Sequence, residues 1–269
     1  MAVFRAYRPL MISLLTLLAL TGCDAYTQSP TGRKQVLLFS EQDMAAQGQQ
    51  RFEQMRAQLP QNRNASVNAY VNCIVTRLVT PLDTNRQWQV QVFKSHEANA
   101  FALPGGYIGI YDGMLKLANT QDELAAVLAH EIAHVLSRHG NEQVSRGEMK
   151  GLGLNVANLV LDVAEVENRD LVMAALDMGT ELGLTLPFSR AQETEADTLG
   201  MVLMAQAGFN PQAAVTLWQK MDKMSASQPL ELLSTHPSAD SRITDLQALQ
   251  PRWQGEYQQA LAKNPLQCR

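Results

Sequence analysis

The sequence predicts an α+β fold, mostly helical, with a small sheet placed before one central helix. Three observations predict it. Apolar residues recur at helical spacing in most of the chain beyond residue 40, as in Tyr70, Val71, Ile74, Val75 and Leu78. Alternating and turn-rich sequence is confined to one stretch, 88–111. A strongly apolar segment then follows between clear helix start and stop signals. The chain has 269 residues, 46% of them hydrophobic, and a net charge of −4, which is globular composition. Basic and acidic side chains nearly cancel, so nothing points to a nucleic-acid partner.

The first residues do not read as part of the fold. Arg5 and Arg8 precede an apolar run, Leu10 to Leu20, of signal-peptide length and short for a bilayer span. Leu20-Thr21-Gly22-Cys23 resembles a bacterial lipobox, which implies that residues 1–22 are a signal peptide and that Cys23 is lipidated. A simple secretory signal with a chance cysteine is the other reading. A lipid anchor places the protein in the bacterial periplasm, at a membrane surface. Asp24 resembles an inner-membrane retention signal of enteric-type bacteria, with the outer membrane as the alternative. Residues 23–35 then read as a lipid-anchored tether and 36–269 as a single domain. The periplasm permits a disulfide between Cys73 and Cys268, and two unpaired thiols are the alternative.

Ser40, with Asp43 three residues on, opens a helix to about Leu59. A second helix runs from about Val67 to Val79 and ends before Pro81. Trp88 to Phe93 alternates as a half-buried strand. Asn99 to Leu103 and Tyr107 to Tyr111 flank Pro104-Gly105-Gly106, which argues a hairpin or meander. Thr120 and Glu123 match a capping box for the central helix, and Gly140 is its expected stop. Residues 144–185 read as amphipathic helix broken near 167–170, expected to face the core, with a site cover or the membrane surface as other uses. A helix from Arg190 ends at Gly208, and another starts at Pro211. A last helical region runs from His236-Pro237 to about Leu261, interrupted at Pro251.

The central helix carries His130-Glu131-Ile132-Ala133-His134. Positions four apart share a helix face, so both imidazoles can reach one metal ion, Zn²⁺ by ligand preference. The adjacent Glu131 is placed to act on a water at that ion. The helix is apolar on most sides, so its histidines are either hydrogen-bonded core residues or metal ligands. His139 lies nine residues after His130, about half a turn round a continuous helix, and is expected to face away. Ser137 and Gly140 stand where a metzincin needs glycine and histidine, which excludes that class. Glu193 is the better third ligand. Asp197, one turn on, can accept a hydrogen bond from a ligand histidine. Glu195 is expected to point elsewhere on that helix.

An H-E-x-x-H followed by E-x-x-x-D resembles the gluzincin-like zincins, and the fuller pattern resembles one peptidase family. That family includes the CAAX prenyl protease, the HtpX heat-shock protease and the periplasmic BepA-type proteins. The matching pieces are Asn99-Ala100-Phe101-Ala102 with Pro104-Gly105-Gly106, Glu123 to His134, Ser189 to Gly200, and His236-Pro237 with Arg242-Ile243. They span roughly residues 30 to 250 and occur in family order. The expectation is a soluble lipoprotein member, without transmembrane helices or a C-terminal repeat domain.

The resemblance implies one Zn²⁺ per chain on His130, His134 and Glu193, with Glu131 activating the zinc-bound water and Asp197 supporting a ligand. His236 has two readings: a helix-entry histidine, or a group near the zinc that stabilises the oxyanion or fills the open coordination site. Arg242 is expected to support the oxyanion or that histidine. Asn99, Ala100, Phe101 and Ala102 read as an edge strand on which an extended peptide could add by main-chain hydrogen bonds. The expected function is a membrane-tethered zinc endopeptidase cleaving unfolded or misassembled envelope proteins, with envelope-assembly machinery as a candidate partner. The alternative is a non-proteolytic chaperone or assembly factor that retains the zinc site.

Overall fold

The computed structural model describes residues 26–82, 86–163, 188–225, 230–236, 241–265 and 268. The signal-peptide reading, Cys23, Asp24, the second half of the 144–185 stretch and Pro237 lie outside these residues.

Where the sequence reads as a polar tether, the chain forms a strand pair. β1 (Tyr26–Gln28) pairs antiparallel with β2 (Lys34–Val36). The turn between them uses Gly32 at φ 87°, a conformation that favours glycine. The Ser40 side chain accepts from the Asp43 amide and starts α1 (Glu41–Gln58). Asn64 accepts from the Ser66 and Val67 amides, so α2 (Ala65–Val79) begins two residues before the expected Val67. A side-chain cap is what decides that boundary.

β3 (Gln89–Phe93), β4 (Ala100–Leu103) and β5 (Tyr107–Tyr111) form one sheet in the order β3-β5-β4. β4 and β5 are the expected hairpin. β3 pairs parallel with β5, so a meander is excluded, and β4 stands at the edge. A short α3 (Asp112–Leu117) follows.

The central helix is α4 (Gln121–Leu136), started by Thr120, whose hydroxyl accepts from the Glu123 amide. The reciprocal bond of a capping box is displaced by one residue: Glu123 accepts from the Asn119 amide. α4 ends before Gly140 is reached. Arg138 takes φ 56°, rare for a residue with a side chain, and α5 (His139–Val163) starts at once in a new direction. From Glu123 to Val135 every residue of α4 is buried. It is enclosed by α2, β4, α6 (Arg190–Gln206) and α7 (Gln212–Ser225). A Cβ on Gly200 of α6 would lie 3.3 Å from the His130 amide nitrogen, a tight contact, so glycine favours the close approach of the two backbones.

α8 (Glu231–Thr235) ends at His236. α9 (Arg242–Lys263) runs through Pro251 without the expected interruption. The proline removes one hydrogen bond on an exposed face, and packing of this helix on α6 and α7 holds it together. Cys73 of α2 is disulfide-bonded to Cys268, with 5.6 Å between their Cα atoms. The first half of the apolar 144–185 stretch does not face the core throughout: Leu152, Val156, Leu159 and Val160 on α5 are exposed. Among the described residues no helix is long and apolar enough to cross a membrane. The fold is α+β with the small sheet ahead of the central helix.

Candidate active site

One turn of α4 separates His130 from His134, so their Nε2 atoms converge to 3.0 Å. α6 crosses α4 at Gly200 and presents Glu193 to the pair. Glu193 Oε2 lies 3.4 Å from His130 Nε2 and Oε1 lies 3.4 Å from His134 Nε2. His236 enters from the end of α8. Its Nδ1 is 3.0 Å from Glu193 Oε1 and 3.3 Å from His130 Nε2. All four side chains are buried, and their ligand-type atoms lie within 4.8 Å of one another. Three nitrogens and a carboxylate focused on one point form a donor set that suits a borderline divalent cation.

Glu131 is 2% exposed and borders this cluster. Its Oε1 makes no hydrogen bond, and His236 Nε2 lies 3.5 Å from it. Burial pushes the Glu131 carboxyl up, and the charges of His236 and His130 oppose that. A buried carboxylate oxygen without a donor is costly unless something else engages it. The backbone of Ala102 on β4 also bonds this carboxyl, which ties the sheet to the site. β4 pairs with β5 on one side only, so among the described strands its other edge is open. Ala100, Phe101 and Ala102 lie in β4 and Asn99 just precedes it.

The His130 Nδ1 is 3.0 Å from Asp197 Oδ1. Burial alone would push the Asp197 carboxyl up, but the Arg242 charge and the His130 bond hold it below the usual range. Arg242 is buried and its guanidinium is taken up by carboxylates. Its Nη1 donates to Glu193 Oε2 at 2.6 Å and its Nη2 to Asp197 Oδ1 at 2.7 Å. Its guanidinium carbon sits 3.5 Å above the Trp218 ring. Arg242 thus clamps the two carboxylates of α6. Position within the sequence could not reveal this, because both partners and Trp218 come from other helices.

Two expectations are overturned. His139 does not face away. The break at Arg138 turns the chain back, and His139 Nδ1 comes to 2.9 Å from His134 Nδ1. A half-turn offset holds only along a continuous helix, and α4 ends before His139. Glu195 is not on an idle face either. It is 5% exposed, and its Oε2 receives His139 Nε2 at 3.1 Å and Arg33 Nε at 2.6 Å. Thr31 donates to its Oε1 at 2.6 Å. Burial would push the Glu195 carboxyl up, but bonds from Ser29, Thr31, Arg33 and His139 hold it down at about 2. The signal for Glu195 lay 162 residues away, in an arginine that reads as tether. Burial pushes the His134 imidazole well below its ordinary value, whereas the bonds of His130 to Asp197 and Glu193 outweigh its burial and raise it to about 9.

The profile of the family described as peptidase family M48 matches residues 62–250. Mitochondrial metalloendopeptidase OMA1 of Schizosaccharomyces pombe is 36% identical over 188 residues, which is 69% of this chain and 53% of that protein. The beta-barrel assembly-enhancing protease of Yersinia pestis is 31% identical over 212 residues, 76% of this chain and 43% of that protein. Its Escherichia coli K12 counterpart is 28% identical over 199 residues, 71% of this chain and 40% of that protein. The chain thus spans about half or less of the length of these relatives. The profile covers the sheet, the central helix and every element that supplies the four converging side chains, and on that match the chain belongs to peptidase family M48.

Proposed function

We propose that this protein is a zinc-dependent endopeptidase. The observation that carries the proposal is the set of four buried ligand-type side chains converging beside a buried glutamate with an unpartnered oxygen. His130, His134 and Glu193 would hold the ion. A Zn²⁺ bound there supplies Lewis acidity, which makes a nearby water a better acid and polarises a carbonyl. Glu131, which borders both β4 and the converging side chains, takes a proton as general base and returns it to the leaving amine. An extended peptide adds to the open edge of β4, which sets its scissile bond above α4 through main-chain hydrogen bonds. Such binding favours unfolded or extended chains over folded ones.

His236 is the fourth converging donor. With its Nδ1 on the ligand side and Nε2 towards Glu131, it fits the reading in which it fills the open coordination site in a resting state. His236→Ala is then expected to loosen zinc and alter turnover together, and no change in either would remove that role.

The finer setting is also a proposal. Lipidation of Cys23 would tether the enzyme in the bacterial periplasm, on the inner membrane by the Asp24 signal, within reach of misassembled envelope proteins. The similarity to proteases named for beta-barrel assembly supports this substrate class and an envelope-assembly partner. A chaperone that keeps zinc without cleaving is the competing reading. Unfolded casein is the cheapest discriminating substrate. Cleavage that a chelator stops and added zinc restores supports the peptidase, and binding without cleavage supports the chaperone. Glu131→Gln should retain zinc and lower kcat/KM by about 10²–10⁴-fold, the usual worth of a positioned base. An active Glu131→Gln would overturn the mechanism.

A further inference from the structure

His130 and His134 are oriented by different parts of the chain. His130 meets Asp197 directly, inside the matched domain. His134 reaches a carboxylate only through His139, and that carboxylate, Glu195, is gripped by Thr31 and Arg33. Both of these lie in the turn that joins β1 to β2, upstream of the family match.

We propose that the N-terminal strand pair is part of the metal site's support, with Arg33, Thr31, Glu195 and His139 acting as positioning residues for His134. The inference rests on the reading that His134 ligates zinc. The hydrogen-bond directions follow from that. A His134 that offers its Nε2 lone pair carries its proton on Nδ1 and donates to His139 Nδ1. His139 must then carry its own proton on Nε2, which donates to Glu195 Oε2. A carboxylate only accepts, so the Glu195 end sets the tautomer of both rings. Reversing the His134 tautomer would set its Nδ1 lone pair against that of His139. Reversing that of His139 would face an N–H at another N–H and leave the carboxylate without its donor.

The other contacts of this segment make it a brace rather than a passing strand. Arg33 also donates from Nη2 to Glu142 Oε2 at 2.6 Å and from Nη1 to Glu142 Oε1 at 3.0 Å, bridging α5 to α6. Gln192 of α6 donates to the same Glu142. Further along, the Leu38 amide donates to Ser145 and Asn141 donates to the Phe39 carbonyl. These bonds pin the first two turns of α5, the end of the helix that presents His139. The strand pair therefore holds both the ring and the carboxylate that the ring needs.

The test is made on the full chain. Zinc affinity is measured by competition with a chromophoric chelator, and ligand geometry by the visible spectrum of the Co²⁺ form. Glu195→Gln is nearly isosteric and Arg33→Gln keeps a donor; each should weaken zinc by about 10- to 100-fold and shift the Co²⁺ bands, the usual effect of losing an outer partner of a metal-bound histidine. Arg33→Lys should recover part of the affinity. Arg146→Gln, which removes a 2.6 Å bond to Glu142 but none to Glu195, should leave affinity and spectrum unchanged whatever it does to stability. Glu195→Gln and Arg33→Gln proteins that fold and melt lower, yet bind zinc and Co²⁺ as the parent does, would reduce the strand pair to a stability element and overturn the proposal. If the parent takes up no zinc, or His130→Ala does not weaken uptake, the metal reading itself fails and this inference fails with it.

Discussion

At the scale of the residue, each acidic side chain of Glu193, Glu195 and Asp197 has a different task. Glu193 faces the point where the imidazoles meet, Asp197 holds the far nitrogen of His130, and Glu195 anchors the chain of contacts to His134. Their burial is tolerable because each is paired. An unpartnered buried carboxylate would cost several kcal/mol. Asp197→Asn keeps the shape but weakens the bond to His130 and removes the charge facing Arg242. It is expected to lower zinc affinity by about 10- to 100-fold while the fold persists. Unchanged affinity by chelator competition would show that His130 needs no carboxylate behind it.

At the scale of the element, the site depends on how closely α6 lies on α4. Gly200 sets that distance, since an added Cβ meets the His130 backbone at 3.3 to 3.4 Å. Gly200→Val must push the helices apart. Overpacking of this kind costs about 1–3 kcal/mol, and it should loosen zinc as well, because Glu193 and Asp197 ride on α6. A Gly200→Val protein with the parent's melting temperature would refute the tight crossing. α5 carries a pH signature. Burial pushes the Glu142 carboxyl up, but Arg33 and Arg146 hold it below its ordinary value of 4.5. A depressed carboxylate contributes stability that is complete above about pH 4.5 and lost as the pH falls through its lower folded value. The melting temperature of the parent should therefore fall more steeply than that of Glu142→Gln on acidification below that point. Parallel curves would mean that Glu142 contributes nothing to acid sensitivity.

At the scale of the molecule, the chain end is tied to the second helix by the Cys73–Cys268 bond, which closes a loop of 195 residues in sequence. Constraining so long a loop in the unfolded chain is worth about 5 kcal/mol by loop-closure entropy. Replacing both cysteines with alanine should lower the urea midpoint accordingly. Because neither cysteine lies on an element that supplies one of the four converging side chains, zinc affinity of the folded protein should not change. An unaltered midpoint would show that packing of α9 suffices by itself.

Local sequence determined most of the helices, the strands of the three-stranded sheet and the first ring of the site, but not the β1–β2 pair. Thr120 and Ser40 name their helices' starts because a side-chain oxygen three residues upstream satisfies an amide that nothing else can reach. His130 and His134 were legible because a helix alone dictates their common face, Glu131 because it adjoins the first of them, and Glu193 and Asp197 because the same period repeats on α6. What only the tertiary structure decided depends on chain reversals and long separations. A positive φ at Arg138 brings His139 behind His134, parallel pairing of β3 with β5 leaves β4 at the edge, and Arg242 and Arg33 find their carboxylates on other helices. Spacing along one element carries information about that element's faces. It carries none about which buried charge a distant arginine will meet, because that pairing is fixed by the cost of leaving either partner alone in the folded interior.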